Sequence, residues 1–248
     1  MRNGNGQQHG GKAERRFYET AGIVEAGGGW RVLLDGRGVR TPLRAELLLP
    51  TEALARAVAA EWNAQGARID RRLMPLTRLA NTAIDAVRGC EAEVAADILS
   101  YAGRDLICYR AEGPMDLVAR QMALWNPVVG WAEERLGARL IATAGIMPVE
   151  QPEASIEALR RPVAALDVFP LTALHMMTSL MGSAILALAH AFGRLTAEEC
   201  WAAAHADEDF QIERWGADAE AGARRTLRYA DLCAASAFFA LSRQAGLR

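Results

Sequence analysis

Lysine is almost missing from this chain: of 28 Lys and Arg residues Lys12 is the sole lysine, which leaves 27 arginines. Against 30 acidic residues these give a formal net charge of −2, and no long basic patch stands out, so nucleic acid is not the expected partner. Cysteine is sparse. Cys90, Cys108, Cys200 and Cys233 lie far apart without a C-x-x-C pair, which excludes the usual zinc and dithiol spacings. They read as reduced thiols of a cytosolic protein, filling small core positions. The opening MRNGNGQQHGGK has no apolar run, so neither a secretory signal nor a membrane anchor is expected there, and residues 1–13 read as a disordered tail. Catalytic signatures are absent as well: the sequence has no Walker loop, no G-x-G-x-x-G after a strand, no G-x-S-x-G and no H-E-x-x-H.

What is present is a composition fit for a packed core: 248 residues, 51% of them hydrophobic. Strand signals come first, at Phe17-Tyr18 and at Gly22 to Glu25. A glycine turn at Gly27 to Gly29 leads to Trp30 to Leu34, and Asp35-Gly36 is a hairpin signal that returns the chain through Val39 to Thr41. Leu47 to Leu49 adds one more strand. Such a meander needs a cover. Thr51 starts a helix with Leu54, Val58 and Trp62 on one face and Gly66 as its stop, and a second helix follows Met74-Pro75 from about Leu76 to Val87. Residues 14–90 therefore read as a β-rich N-terminal domain.

Beyond Gly89 helices dominate, over Glu91 to Tyr101, Met115 to Leu136 with Pro127 kinking or splitting it, and a helix opened by Pro152 and broken near Pro162. Arg139 to Thr143 is short and β-compatible, either a loop or an extra strand of the first sheet. Leu171 to Phe192 holds no Asp, Glu, Lys or Arg over 22 residues. That length would span a bilayer, but two His, several Thr and Ser and no aromatic belt favour a central bundle helix, with Gly182, Ser183 and Ala184 allowing close approach. A last helix, Ala219 to Gln244, has Leu227, Ala230, Ala234, Phe238 and Leu241 inside and Arg224, Arg225 and Arg228 outside. The fold class is thus α+β: a small N-terminal antiparallel sheet with covering helices, then a larger all-α bundle over residues 91–248.

Before that last helix lies AHADEDFQIERWG, Ala204 to Gly216. Thr196 and Glu199 form a capping box and Gly216 a stop, so one helix from about Ala197 to Trp215 is expected, with Trp201, His205, Glu208, Ile212 and Trp215 on one side. Glu208 interrupts that apolar stripe. Buried, it needs His205 or an arginine such as Arg68, Arg71, Arg72 or Arg78; exposed, it forms a recognition patch with Trp215. Asp207 and Asp209 read as solvated surface. His175 and His190 read as core histidines, and Trp62, Trp125, Trp131 and Trp201 as core aromatics.

RRFYE at Arg15 to Glu19, VLLDGRGVRTP at Val32 to Pro42, AEWNAQG at Ala60 to Gly66, MPLTRLANTAID at Met74 to Asp85 and DEDFQIERWG at Asp207 to Gly216 together carry a resemblance. In order and spacing they resemble the assembly chaperones of the alpha subunit of the F-type ATP synthase catalytic head, found in mitochondria and alphaproteobacteria. The resemblance implies a two-part architecture, no catalysis, no metal and no cofactor. It implies a client, the ATP synthase alpha subunit, whose beta-facing surface is covered until beta replaces the chaperone. By position it marks Asp207, Glu208, Asp209, Gln211 and Trp215 as partner-binding residues and Trp62 as structural. A monomer without membrane insertion, in the bacterial cytoplasm, is expected, since mitochondrial members begin with a targeting segment. Two alternatives stand beside it: an enzyme using His175, His205 and Glu208 in a pocket between the domains, and a permanent structural subunit of a complex.

Overall fold

Two tight turns make the sheet. The computed structural model describes residues 14–145 and 147–243, so the expected disorder of residues 1–13 lies outside the described residues. Strand β1 (Ala21–Ala26) turns at Gly27-Gly28 into β2 (Gly29–Leu34), and β2 turns at Asp35-Gly36 into β3 (Arg37–Gly38). All four turn residues have positive φ, between 46° and 81°, the left-handed pair that matches the twist of the flanking strands. Ala21 faces Leu34 and Ala26 faces Gly29 across the first hairpin, while β4 (Leu48–Leu49) pairs antiparallel with the start of β2. A Cβ on Gly29 would sit 2.7 Å from the Leu49 carbonyl oxygen, so that approach requires glycine.

Helix α1 (Glu52–Asn63) covers the sheet. Thr51 accepts from the Leu54 N–H as its cap, and Leu54, Ala55, Val58 and Ala59 are buried. Asn63 fixes the far end: its Oδ1 accepts from the Ala21 N–H at 2.8 Å and its amide donates to the Ala21 carbonyl at 2.9 Å. After α2 (Pro75–Thr82), which widens into a looser turn at Ala83–Val87, come α3 (Glu91–Ala102) and α4 (Met115–Trp131). The remaining helices are α5 (Glu153–Ala164), α6 (Val168–Met181), α7 (Ala184–Ala191), α8 (Ala197–Ala204), α9 (Ala206–Trp215) and α10 (Ala219–Ser242). α6 is the hub, packed against α3, α7 and α10 and burying Phe169, Leu171, Leu174 and Met177. The architecture is α+β, a small antiparallel sheet followed by a larger helical part, as the sequence implies. One hydrophobic core runs from Val32 through Trp125 to Phe238, and a smaller cluster gathers Tyr18, Leu34, Ile69 and Met74.

Several expectations are corrected. Leu171 to Phe192 is two helices, because Gly182 adopts φ 66° and Ser183 caps α7 by accepting from the Leu186 N–H at 3.0 Å. Among the described residues no helix is long and apolar enough to cross a membrane. Pro127 neither ends nor splits α4, and Pro162 sits in the last turn of α5 without breaking it. Burial of Trp125 and Val128, and of Leu159 and Val163, holds those turns in place. The short strand near Arg139 to Thr143 is β6 (Thr143–Ala144), which pairs in parallel with β5 (Tyr109–Arg110) rather than joining the first sheet. On α10, Leu227 is 68% exposed, and the buried face is Leu232, Ala235, Phe238, Phe239 and Ser242. Cys108 and Cys200 are core thiols, but Cys90 and Cys233 are exposed.

Candidate functional site

The acidic stretch starts from a break. Helix α8 opens with the capping box of Thr196 and Glu199, then stops at His205, whose backbone leaves the helical region at φ −115° and ψ 21°. The imidazole stacks 3.7 Å from the Trp201 ring centroid, and its Nδ1 donates to the Trp201 carbonyl at 2.9 Å. Burial, the largest influence, pushes its pKa down, so the ring is neutral at physiological pH. α9 therefore begins afresh, with Asp207, Glu208 and Asp209 in its first turn, where unpaired backbone N–H groups favour negative charge. The continuous stripe expected from Trp201 to Trp215 does not form: Trp201 and His205 are buried and Trp215 is 74% exposed.

Side chains pin α9 on two flanks. Asp207 Oδ1 accepts from Gln121 Nε2 at 2.6 Å, and the buried Gln121 also accepts from the Ala111 N–H at 2.8 Å. Arg120 grips Glu213 through both carboxylate oxygens at 3.0 and 2.6 Å, which holds the Glu213 pKa down. Arg214 pairs with Asp116 of α4. Both guanidiniums lie by the buried Phe210, with Arg214 at 4.5 Å and Arg120 at 5.6 Å from its ring centroid. On the other flank, Arg225 of α10 pairs with Asp209 and reaches Glu208 Oε2 at 4.0 Å. Trp125 completes the frame by donating from Nε1 to the Ala203 carbonyl at 2.8 Å, which ties α4 to α8.

The five residues marked by sequence thus separate. Asp207 and Asp209 turn toward Gln121 and Arg225, while Glu208, Gln211 and Trp215 follow helical spacing along one face of α9. Glu208 keeps 44% of its side chain exposed, and Gln211 and Trp215 are exposed. Arg225, Arg120 and Gln121 were not legible as partners. Arg225 in particular reads as an outward residue of α10, since nothing in local spacing reveals that α9 folds back over it. Of the other candidate cations, Arg71, Arg72 and Arg78 face Glu14, Asp70 and Asp231.

The groups proposed for chemistry are engaged separately. His175 Nε2 meets Asp97 Oδ2 at 2.7 Å, His205 bonds the Trp201 carbonyl, and Glu208 faces Arg225. His190 is a tie between helices, with Nδ1 donating to the Leu195 carbonyl at 2.9 Å and Nε2 at 2.7 Å from Ser236 Oγ. Burial pushes the Cys108 and Cys200 thiols up to about 12, so neither supplies a thiolate at neutral pH. Among the described residues no group of three or more His, Cys, Asp or Glu could hold a metal.

Residues 15–133 match the family model described as ATP12 chaperone protein. The crystal structure of Atp12 from Paracoccus denitrificans superposes with a TM-score of 0.89 at 46% identity, over 93% of this chain and 99% of that one. A protein from Agrobacterium tumefaciens is similar at 44% identity and a TM-score of 0.90, over 92% of this chain and 86% of that one. The mitochondrial protein atp12 of Schizosaccharomyces pombe is 25% identical over 214 residues, 82% of this chain and 74% of the relative.

Proposed function

The chain belongs to the ATP12 family, chaperones of ATP synthase assembly, and from that membership we propose that its client is the ATP synthase alpha subunit. The chaperone covers the surface of newly made alpha that later meets beta, because an interface bared before assembly aggregates unless it is occluded. The observation that carries the docking surface is Trp215, 74% exposed two turns along α9 from the carboxylate of Glu208, on a helix otherwise pinned to α4 and α10. An exposed aromatic held on a rigid element loses little entropy on binding, which suits an anchor. In this reading Glu208, Gln211 and Trp215 touch the client, and Asp207 and Asp209 hold the helix that presents them. No catalytic group or cofactor takes part. The protein works as a monomer in an alphaproteobacterial cytoplasm, and among the described residues the parts before and after residue 90 share one core.

Co-expression with the cognate alpha subunit tests the reading. Wild type is expected to bring alpha into a soluble, co-purifying complex. Glu208→Lys and Trp215→Ala are expected to lose it while melting within about 2 °C of wild type, the range of surface substitutions. A wild-type chain that captures no alpha, or variants that capture it equally well, would sink the proposal.

A further inference from the structure

The smaller core cluster has an open outer side. Trp62 and Val39 pack against Tyr18, Leu34, Ile69 and Met74, and beyond them lie two adjoining hollows of about 610 and 180 Å³ that share Val39, Arg40, Trp62 and Arg71. Their combined size suits several side chains of a bound segment. The wall is aromatic: the Phe17, Tyr18 and Trp62 rings follow edge to face at 5.4 and 5.6 Å, and Phe17 is 64% exposed. The edge strand β3 supplies Arg37 and Gly38 to the larger hollow.

The charge of this groove is one-sided. Arg37, Arg40, Arg71 and Arg78 line it, of which Arg78 is also paired with Asp231 at 2.8 Å. Two carboxylates border the larger hollow, and Asp35 is already occupied by the N–H groups of Glu19 and Thr20 at 3.0 and 2.9 Å, which hold its pKa down. Glu14 stands 3.9 Å from Arg71. Arg37 has no acidic partner among the described residues, and Arg40 Nη1 donates only to the Arg44 carbonyl, at 2.9 Å. The smaller hollow has no carboxylate in its lining, and two residues that line it, Trp62 and Asn81, each hold a buried polar atom without a hydrogen-bond partner, the indole N–H and the carboxamide oxygen.

We infer that this groove docks an extended, acidic peptide segment of a client protein, with carboxylates on the arginine rim and an intervening aromatic or aliphatic side chain against Trp62 and Phe17. The arginines offer planar donors that match carboxylates, the aromatic wall takes the apolar side chain, and an edge strand is the usual place for an extended chain to lie. The site is separate from α9 and gives the chaperone a second grip on its client. It rests on the proposed function only in taking the segment to belong to a client chain.

Fluorescence anisotropy on the full chain, with a labelled peptide of alternating Phe and Glu, tests it. Binding is expected to saturate, and to weaken at least about tenfold in the double variant Arg40→Glu, Arg71→Glu or when Lys replaces Glu in the peptide. Both arginines are exposed, so the variant is expected to fold. As a second readout, the Trp62 indole N–H resonance, identified by its loss in Trp62→Phe, is expected to shift on adding peptide. Absence of saturable binding, unchanged affinity in the double variant, equal binding of the Lys peptide, or stronger binding of an oligouridylate overturns the inference. Alpha-subunit capture measured in parallel separates the two proposals. Alpha capture without peptide binding removes the groove alone, and peptide binding without alpha capture removes the alpha reading alone.

Discussion

Asp105 is fully buried and its carboxylate ties its own turn to the start of α7, accepting from the Ile107 N–H at 3.3 Å and from the Ile185 N–H at 3.0 Å beside the Gly182-Ser183 break. Burial outweighs these hydrogen bonds and raises its pKa from 3.8 to about 6. A carboxyl whose pKa is higher folded than unfolded holds its proton more firmly in the folded state. Its stabilising contribution is therefore complete below the unfolded value near 4 and is lost as pH rises through 6. Between pH 5 and pH 7 the loss integrates to about 1.3 kcal/mol, worth roughly 3–5 °C in melting temperature for a chain of this size. Asp105→Asn keeps an acceptor and cannot titrate. Thermal melts of wild type and Asp105→Asn at several pH values isolate the effect, because every other ionisable group is common to both proteins and cancels in the difference. Wild type is expected to gain those degrees relative to the variant on going from pH 7 to pH 5, with the difference levelling off above pH 6 and still growing below pH 5. A flat difference, or one of opposite sign, refutes the reasoning. Asp105→Ala is expected to be worse than Asp105→Asn, since it leaves two buried N–H donors unpaired at about 1–3 kcal/mol each.

Further outcomes follow from the same packing. Arg225→Ala, which frees Asp209 and removes the cation nearest Glu208, should cost about 1 kcal/mol by thermal melting while α9 stays helical by circular dichroism. Gly29→Ala would drive a Cβ to 2.7 Å from the Leu49 oxygen and should destabilise by about 1–3 kcal/mol in urea unfolding. Cys90 and Cys233 should label with a maleimide in the native protein, whereas Cys108 and Cys200 should label only after unfolding, as counted by intact mass.

Much of this protein is written in short-range signals. The left-handed turns at Gly27-Gly28 and Asp35-Gly36, the Thr51 cap, the capping box of Thr196 and Glu199 and the stop at Gly216 each depend on a few neighbouring residues, and each is where the sequence places it. The motifs from Arg15 to Asp85 likewise lie within residues 15–133, the stretch that matches the family. Tertiary structure decided what depends on distant partners. Leu171 to Phe192 reads as one helix because its apolar run is unbroken, yet it divides where Asp105, some eighty residues earlier, receives the Ile185 N–H. Pro127 and Pro162 stay helical because buried faces outweigh a lost backbone hydrogen bond. The acidic helix divides at His205 for the same kind of reason, and the side of it that meets solvent is set by Arg120, Gln121 and Arg225 arriving from α4 and α10. Periodicity assigns a face to each helix alone; which neighbour covers that face is settled only when the helices pack.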